Sequence, residues 1–154
     1  MMSRGSVIPV FLNVKNNQYP ITNNKMTRFS ITLDESVEIA IKALEFSIGG
    51  EIFIPKLKSY KILDLVKAIS KNGKTYEIGI RPGEKIHEEL ISKGETFNIY
   101  SYKNFYILSS PENIKFLKKY KKLNKNFSYN SNETGFYNIT QLRKIIKSEL
   151  SKKR

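Results

Sequence analysis

Three arginines stand in short segments whose residue types favour a turn or the end of a strand. They are Arg4 in SRGS, Arg28 in MTRF and Arg81 in IRPGEK, in a chain that has 22 lysines and only 5 arginines. A planar guanidinium group can hold two phosphate oxygens at once, which the ammonium group of lysine cannot reproduce. The three arginines are therefore candidate ligands of a diphosphate. Spacing alone leaves a second interpretation open, in which each is a surface arginine or pairs with a nearby acid, as Arg81 would with Glu84 or Glu88.

The residue types present disfavour metal and thiol chemistry. The chain has no cysteine, which excludes disulfides, thiolate ligands and cysteine nucleophiles, and His87 is its one histidine. A histidine in this setting is more often a structural residue with a satisfied hydrogen bond than a catalytic one. We expect no metal site.

The elements that must position the arginines follow from local patterns. A short helix is predicted after Ser6, which is suited to cap it, and an extended piece at 26–31 carries Arg28. The capping box of Thr32 and Glu35 predicts a helix that stops at Gly49-Gly50. Further predictions are a strand at 51–55, a helix from 62 to 72, a strand at 76–81, a short helix from about 85, a hairpin of 97–102 with 105–109, mostly irregular chain at 110–133 with a helical suggestion at 114–117, and a last helix from 140.

The charge of the chain lies mainly in its second part. Of the net +13, residues 103–154 carry +10, with 13 basic and 3 acidic residues. Nucleic acid is a possible partner of such a tail. No helix-turn-helix, zinc-finger or stacking-aromatic motif accompanies the charge, so we favour compositional bias over a nucleic-acid site.

The chain is long enough for one ordinary domain, with 154 residues of which 40% are hydrophobic. It has no apolar stretch of the roughly 18 residues that cross a bilayer, and its start lacks the pattern of a secretory signal. The sequence therefore predicts a cytoplasmic protein with no membrane contact.

Several runs resemble, in the same order, segments of inverting UDP-N-acetylglucosamine 4,6-dehydratases of the extended short-chain dehydrogenase/reductase superfamily. They are MSRGSVIPVF, MTRFSITLDESVEIAIKAL, GGEIFIPKLKSYKILDLVKAI, GIRPGEKIHEELIS and FSYNSNETGFYNITQLRKII. The similarity covers nearly the whole chain and is lowest from about 109 to 125. GIRPGEK following MTRF at this distance is its most specific part.

That resemblance implies an NADP-dependent intramolecular redox elimination on UDP-N-acetylglucosamine. Hydride leaves C4, water is lost across C5 and C6, and hydride returns to C6 with inversion at C5. The product is a 4-keto-6-deoxy sugar nucleotide for surface polysaccharide or flagellin glycan, for example on the route to pseudaminic acid. In the family, a Rossmann half binds NADP and carries a catalytic Tyr-x-x-x-Lys pair, and the C-terminal part closes over the UDP-sugar.

This chain resembles only the second of those parts. None of its tyrosines is followed by lysine four positions later, and its eight glycines form neither G-x-x-G-x-x-G nor G-x-G-x-x-G. The expected fold class is therefore mixed α/β, a small sheet with amphipathic helices and no Rossmann half. No residue of the chain is expected to be catalytic, and the chain alone is expected to bind no cofactor, so whether it is an enzyme stays open.

The resemblance carries substrate contacts onto eight positions. The implied sugar-nucleotide ligands are Arg4, Gly5, Ser6, Val7, Ile8, Arg28, Arg81 and Glu84. Arg81 would grip the pyrophosphate with Arg28 nearby, and Glu84 would either orient Arg81, meet a ribose hydroxyl or simply favour the start of a helix.

Three regions are expected. They are a UDP-sugar-binding subdomain at 1–108, an irregular lysine-rich segment at 109–139 and a helix with a frayed basic end at 140–154. The leading hypothesis is a truncated or split dehydratase that is inactive alone, partnered by a UDP-sugar and a separately encoded Rossmann half. A stand-alone UDP-sugar-binding or regulatory module and a nucleic-acid binder are the alternatives. An apolar docking face left exposed predicts self-association.

Overall fold

The computed structural model describes residues 6–95, 97–109 and 117–152, which belong to two compact units. The first unit comprises Met1–Thr32, Lys58–Glu88 and Ser131–Arg154, and the second unit comprises Leu33–Leu57 and Glu89–Asn130. Each unit joins segments that are distant in sequence. Both contain helices and short strands, so the predicted mixed α/β class is confirmed.

The described elements follow one another along the chain in an irregular alternation of helices and strands. In chain order they are α1 (Val7–Leu12), β1 (Gln18–Ile21), β2 (Thr27–Ser30), α2 (Leu33–Phe46), β3 (Ile52–Pro55), β4 (Lys58–Lys61), α3 (Ile62–Ile69), β5 (Lys74–Glu77), β6 (Glu89–Ile91), β7 (Asn98–Tyr102), β8 (Phe105–Ser109), β9 (Lys121–Lys122), β10 (Tyr129–Asn130) and α4 (Ile139–Ser151).

In the first unit three helices and two strand pairs surround one apolar core. β1 pairs in parallel with β5, and β2 pairs antiparallel with β4. Leu65 and Val66 of α3 are 0% and 1% exposed, and Leu142 of α4, 0% exposed, packs in the same core as Ile8 of α1. The spacing of three or four residues between apolar positions places one face of each helix against this core.

The start of α4 is fixed by a complete capping box. The Asn138 side chain accepts a hydrogen bond from the Gln141 backbone N–H at 2.9 Å, and the Gln141 side chain accepts one from the Asn138 N–H at 3.0 Å. Two backbone donors at the helix start are thereby satisfied. The predicted last helix is confirmed, one residue earlier than expected.

The second unit contains a four-stranded sheet in the order β3-β8-β7-β9, in which all pairs are antiparallel. The predicted hairpin is confirmed as β7 and β8, whose turn holds Lys103 at φ +42°. β6 and β10 form a separate antiparallel pair.

The predicted short helix from about residue 85 is wrong. The chain there is extended: Ile86 accepts a hydrogen bond from the Thr27 N–H at 3.1 Å, and His87 forms a parallel bridge with Thr27. The edge of β2 thus supplies a backbone partner that local helix propensity does not foresee. β6 then begins at Glu89.

Two other expectations need adjustment. The strand predicted at 76–81 is observed as β5, which ends at Glu77 shortly before Gly79 at φ +85°. β4 was not predicted, because KSYK has charged ends and only its middle residues, Ser59 and Tyr60, are buried. The helical suggestion at 114–117 lies outside the described residues except for Leu117.

Candidate functional site

A cavity of about 520 Å³ lies within the first unit and is lined by five of its segments. α1 and the end of β1 contribute apolar side chains, β2 contributes Arg28, β4 contributes Tyr60, and the 78–88 segment contributes two acids and a further arginine. The lining residues are Ser6, Val7, Val10, Phe11, Pro20, Ile21, Thr22, Met26, Arg28, Phe29, Ile31, Tyr60, Ile62, Ile78, Arg81, Glu84 and Glu88. The cavity therefore offers an apolar wall beside a group of charges, a combination typical of small-molecule sites.

Arg28 is held firmly in the wall of this cavity. Its side chain is 17% exposed, and Nη1 donates to the backbone carbonyls of Thr27 at 2.8 Å and Ile86 at 3.1 Å. Nη2 lies 2.9 Å from the sulfur of Met26. The guanidinium is thus oriented by backbone groups of β2 and of the 86–88 segment that pairs with it.

Two carboxylates flank the Arg28 guanidinium. Glu84 Oε1 lies 3.5 Å from Nη2 and Glu88 Oε1 lies 3.6 Å from Nε. Each acid has a second anchor, because Glu84 accepts from the Thr22 hydroxyl at 3.1 Å and Glu88 accepts from the Phe29 N–H at 3.0 Å. These anchors hold the two acids beside the arginine.

Arg81 stands in a different situation, in an exposed turn at the cavity. The Glu84 N–H donates to the Arg81 carbonyl at 3.0 Å, and Gly83 at φ +80° permits the reversal of the chain. Glu84 accepts from the Arg81 backbone N–H at 3.5 Å, but within the described residues no hydrogen bond or ion pair reaches the Arg81 guanidinium. Of the two arginines, Arg81 is the one whose guanidinium has all its donors available.

This pairing excludes one interpretation that the sequence left open, the pairing of the Arg81 side chain with Glu84 or Glu88, and the assignment of the arginines as diphosphate ligands stays a prediction. Glu84 and Glu88 form ion pairs with Arg28, and neither pairs with the Arg81 guanidinium. Sequence spacing could not show this, because Arg28 lies 56 residues from Glu84 and 60 from Glu88. The interpretation of Glu84 as the partner of the Arg81 side chain is not what the structure shows.

The other substrate-contact positions that the resemblance implies fall in three places. Ser6 and Val7 line the cavity, whereas Ile8 is 0% exposed and lies in the core of the first unit. Arg4 and Gly5 lie outside the described residues. Ser6 is the N-cap of α1, but the predicted side-chain cap hydrogen bond is not formed.

Tyr60 is a cavity residue that sequence reasoning missed. It is 5% exposed and stands opposite Arg28 in the register of β2 and β4. Burial raises the pKa of the Tyr60 phenol well above its usual range, the Glu88 carboxylate raises it further, and Arg28 acts in the opposite direction. The phenol is therefore neutral at physiological pH and suited to hydrogen bonding. Its segment carries no pattern that would have singled it out.

His87 takes part in a buried chain of hydrogen bonds. Its Nδ1 lies 2.8 Å from the Thr27 hydroxyl, which lies 2.7 Å from the Ser131 hydroxyl. Ser131 Oγ in turn accepts from the Glu88 N–H at 2.9 Å. The network fastens the segment that carries Glu84 and Glu88 to β2, which is the kind of structural role expected for this histidine.

The charges and donors of the cavity suit binding more than catalysis. The formal charges of the two arginines and two glutamates sum to zero. An incoming dianion therefore meets one available guanidinium, that of Arg81, and a second that is shared with the two acids. Among the described residues no group of three metal-ligating side chains occurs. The glycine pattern that brings the pyrophosphate of a dinucleotide against a helix N-terminus is missing from the sequence.

Comparison with known proteins identifies similar chains. The family model described as polysaccharide biosynthesis protein matches residues 1–110. An inverting UDP-N-acetylglucosamine 4,6-dehydratase of Campylobacter jejuni is 43% identical over 120 residues, which are 76% of this chain and 35% of the relative. A UDP-glucose 4-epimerase of Rickettsia bellii is 34% identical over 158 residues, 95% of this chain and 46% of the relative.

A solved structure is similar over almost the whole chain. The X-ray structure of Pen from Bacillus thuringiensis matches with a TM-score of 0.76 and 32% identity, covering 96% of this chain and 46% of that one. The chain thus spans about a third to a half of the length of these three proteins. No helix in the described part of the chain has the length and apolar composition needed to cross a membrane.

Proposed function

The chain belongs to the polysaccharide biosynthesis protein family, and we propose that it forms the UDP-sugar-binding part of a C5-inverting UDP-N-acetylglucosamine 4,6-dehydratase. The observation that supports this most directly is the common cavity of Ser6, Val7, Arg28, Arg81 and Glu84. Three sequence segments contribute these residues, and each segment was identified from an arginine motif. Two of the relatives, a UDP-N-acetylglucosamine 4,6-dehydratase and a UDP-glucose 4-epimerase, are both named for a UDP-sugar.

Each part of a UDP-sugar has a chemical counterpart in the cavity. The Arg81 guanidinium binds the diphosphate, because its donors are available and lie in an exposed turn. Glu84 and Glu88 accept hydrogen bonds from ribose or sugar hydroxyls on the side facing away from Arg28. Val10, Phe11 and neighbouring apolar residues contact the less polar faces of the ligand.

The chain's own residues bind and orient the substrate in this proposal. NADP supplies hydride transfer in such an enzyme, and the glycine pattern of a dinucleotide site is missing from this chain. We assign no proton or hydride step to the residues of this chain. Turnover then requires polypeptide of the kind that the relatives carry outside the matched segment, on the same chain or on a separate one.

Binding and turnover are tested separately. Calorimetry with UDP-N-acetylglucosamine at up to millimolar concentration should detect binding to this chain. The absence of a heat signal, together with an unchanged nuclear magnetic resonance spectrum of the protein, would refute UDP-sugar binding. Addition of the nucleotide-binding part of a relative, with NADP, should yield the 4-keto product. We place this reaction in the cytoplasm. Binding without turnover in that mixture would favour a stand-alone UDP-sugar-binding or regulatory module.

Two further expectations belong to this proposal. Self-association of the chain alone should appear in light scattering, and a clean monomer would contradict it. A nucleic-acid binder would show affinity for DNA or RNA that falls steeply with added salt, whereas we expect no such binding. The downstream product, surface polysaccharide or flagellin glycan, including pseudaminic acid, is part of the proposed role.

A further inference from the structure

The second unit contains a small cavity at the end of helix α2. Its volume is about 110 Å³, and three aromatic side chains, those of Phe46, Phe53 and Tyr120, line it together with aliphatic side chains, one acid and one lysine. A water molecule takes up about 30 Å³ in the liquid, so the cavity has room for a group of only a few non-hydrogen atoms. We call it the α2 cavity.

Glu51, the acid of the α2 cavity, has one carboxylate oxygen without a partner. Its Oε2 accepts hydrogen bonds from the Ser47 hydroxyl at 3.0 Å and from the Gly49 backbone N–H at 2.9 Å. Its Oε1 is shielded from solvent, and within the described residues no donor reaches it. Because a buried acceptor without a donor is costly, this oxygen indicates a donor that comes from elsewhere.

The electrostatics at this end of α2 favour a positively charged donor. Glu51 lies just beyond the C-terminus of the helix, where the backbone carbonyls carry a partial negative charge, and the last turn of α2 contains no basic residue. The faces of aromatic rings also attract cations. Lys103 Nζ lies 5.9 Å from the centroid of the Phe46 ring, and Lys119 Nζ lies 5.2 Å from that of the Tyr120 ring. Two of the three rings thus already attract cations of the chain itself.

Lys119 is the lysine of the lining, and it does not satisfy Glu51. Its ammonium group lies over the Tyr120 ring, whereas Glu51 Oε1 has no partner among the described residues. Lys119 is exposed, so its ammonium group is hydrated. Its positive charge opposes a second cation nearby, and removal of that charge should therefore strengthen the binding of a cation in the α2 cavity.

The number of acceptors decides which cation fits. Among the described residues the lining offers one buried side-chain acceptor without a donor, Glu51 Oε1. A primary ammonium group has three N–H donors and would leave two of them unpaired, and a quaternary group has none and would leave the oxygen unpaired. A tertiary ammonium group has one N–H donor, and its alkyl groups can contact the aromatic rings.

We propose that the α2 cavity binds a tertiary ammonium group with small alkyl substituents, carried by a small molecule, and that its N–H donates to Glu51 Oε1. The aromatic rings surround the alkyl groups, and the Glu51 carboxylate compensates the charge. The proposal does not depend on the proposed function, because all the residues that carry it belong to the second unit.

Titration of the full chain with trimethylammonium chloride, followed in the amide spectrum by nuclear magnetic resonance, tests the proposal. We expect saturable shifts at Glu51 and at 117–120, a dissociation constant in the millimolar range, and weaker binding of methylammonium and tetramethylammonium. tert-Butanol has a similar shape and one O–H donor but no charge, and it should bind about tenfold more weakly or worse. The absence of saturable shifts up to about 100 mM trimethylammonium, or equal binding of tert-butanol, would overturn the proposal.

Two variants and a matched control locate the bound cation. Glu51→Gln keeps an oxygen for Ser47 and Gly49 but loses the charge, and it should weaken binding about tenfold or more. Lys119→Gln should tighten binding about threefold, because an opposing charge is removed. Glu45→Gln removes an acidic charge from the exposed part of α2, outside the cavity, and should leave the affinity unchanged.

The variants also distinguish loss of the site from loss of the fold. Lys119 is exposed, so Lys119→Gln should fold, and it decides the test if Glu51→Gln does not. Unchanged or weaker binding by Lys119→Gln would overturn the proposal. Unchanged binding by a folded Glu51→Gln variant, or an equal loss in Glu45→Gln, would do the same.

Discussion

Replacement of Arg81 by alanine should weaken the binding of UDP without unfolding the protein. The guanidinium is exposed and no described residue bonds to it, so its removal leaves no buried group unpaired. A hydrogen bond to a charged group contributes about 1.5 to 3 kcal/mol, which corresponds to a loss of about 10- to 150-fold in affinity. The free energy of unfolding should change by no more than about 0.5 kcal/mol, as for other exposed positions.

Arg28 would be a poor choice for this test, although it lies in the same cavity. Its guanidinium donates to the Thr27 and Ile86 carbonyls and is flanked by Glu84 and Glu88. These ion pairs are partly buried, so removal of the Arg28 guanidinium should lower the stability of the fold, because the two carboxylates lose their compensating charge. A loss of binding in an Arg28 variant would therefore not distinguish ligand contact from unfolding.

Isothermal titration calorimetry measures the affinity for UDP. Nuclear magnetic resonance titration measures the affinity for uridine, which has the same nucleoside but no phosphate. Arg81→Ala should weaken UDP binding and leave uridine binding unchanged. The UDP affinity of Arg81→Lys should lie between those of Arg81→Ala and the unmodified chain, because lysine keeps the charge but not the two-pronged geometry. Lys147→Ala, on the exposed side of α4 and outside the cavity, removes the same charge as a control. Equal weakening by Lys147→Ala, or UDP binding by Arg81→Ala within twofold of the unmodified chain, would refute the assignment.

Three further predictions concern stability and electrostatics. Burial raises the pKa of Tyr129 to about 12 from the ordinary 10. The unfolded chain ionises first, so Tyr129 should lower the free energy of unfolding as the pH rises between these values, by at most about 1.4 kcal/mol per pH unit. Burial of Tyr60 acts in the same direction, so Tyr129→Phe should reduce the slope measured in urea titrations without abolishing it. Glu88→Gln should tighten pyrophosphate binding about threefold, because the Glu88 carboxylate no longer opposes the charge of Arg28. This factor corresponds to the Coulomb repulsion in water between the carboxylate and one phosphate charge about 6 Å away. Unchanged or weaker binding in calorimetry would contradict the prediction. Leu142→Ala, at a fully buried position, should cost about 2 to 5 kcal/mol in chemical denaturation, against well under half of that for Leu150→Ala, which is 41% exposed.

Local sequence patterns were sufficient for the elements that contain their own signal. The apolar spacing in α3 and in α4, and the two short segments on either side of the turn between β7 and β8, each act within a few neighbouring residues. The three arginine motifs likewise marked the segments that form the cavity. Patterns of this kind are readable because the physical cause, one buried face or one cap, is repeated along the chain.

Elements stabilised by distant partners were not predictable in the same way. The segment at 86–88 has residues suited to a helix, yet Thr27 of β2 takes it as an extended partner, and β4 is a strand because β2 lies beside it. Pairing across many residues outweighs a local preference of a few tenths of a kcal/mol per residue. The apolar stripe of α2 belongs here too, since periodicity identified it, yet Ile41 and Leu44 are exposed and Ile39 packs against the core of its unit.

The sequence by itself determined the residue types that suit a diphosphate, the lack of a dinucleotide-binding glycine turn and the family resemblance. Only the tertiary structure decided that Glu84 and Glu88 hold Arg28 and leave the guanidinium of Arg81 available. The reason is physical: an ion pair depends on distances of a few ångströms between side chains that are 56 and 60 positions apart, and those distances exist only once β2 and the 81–88 segment have come together.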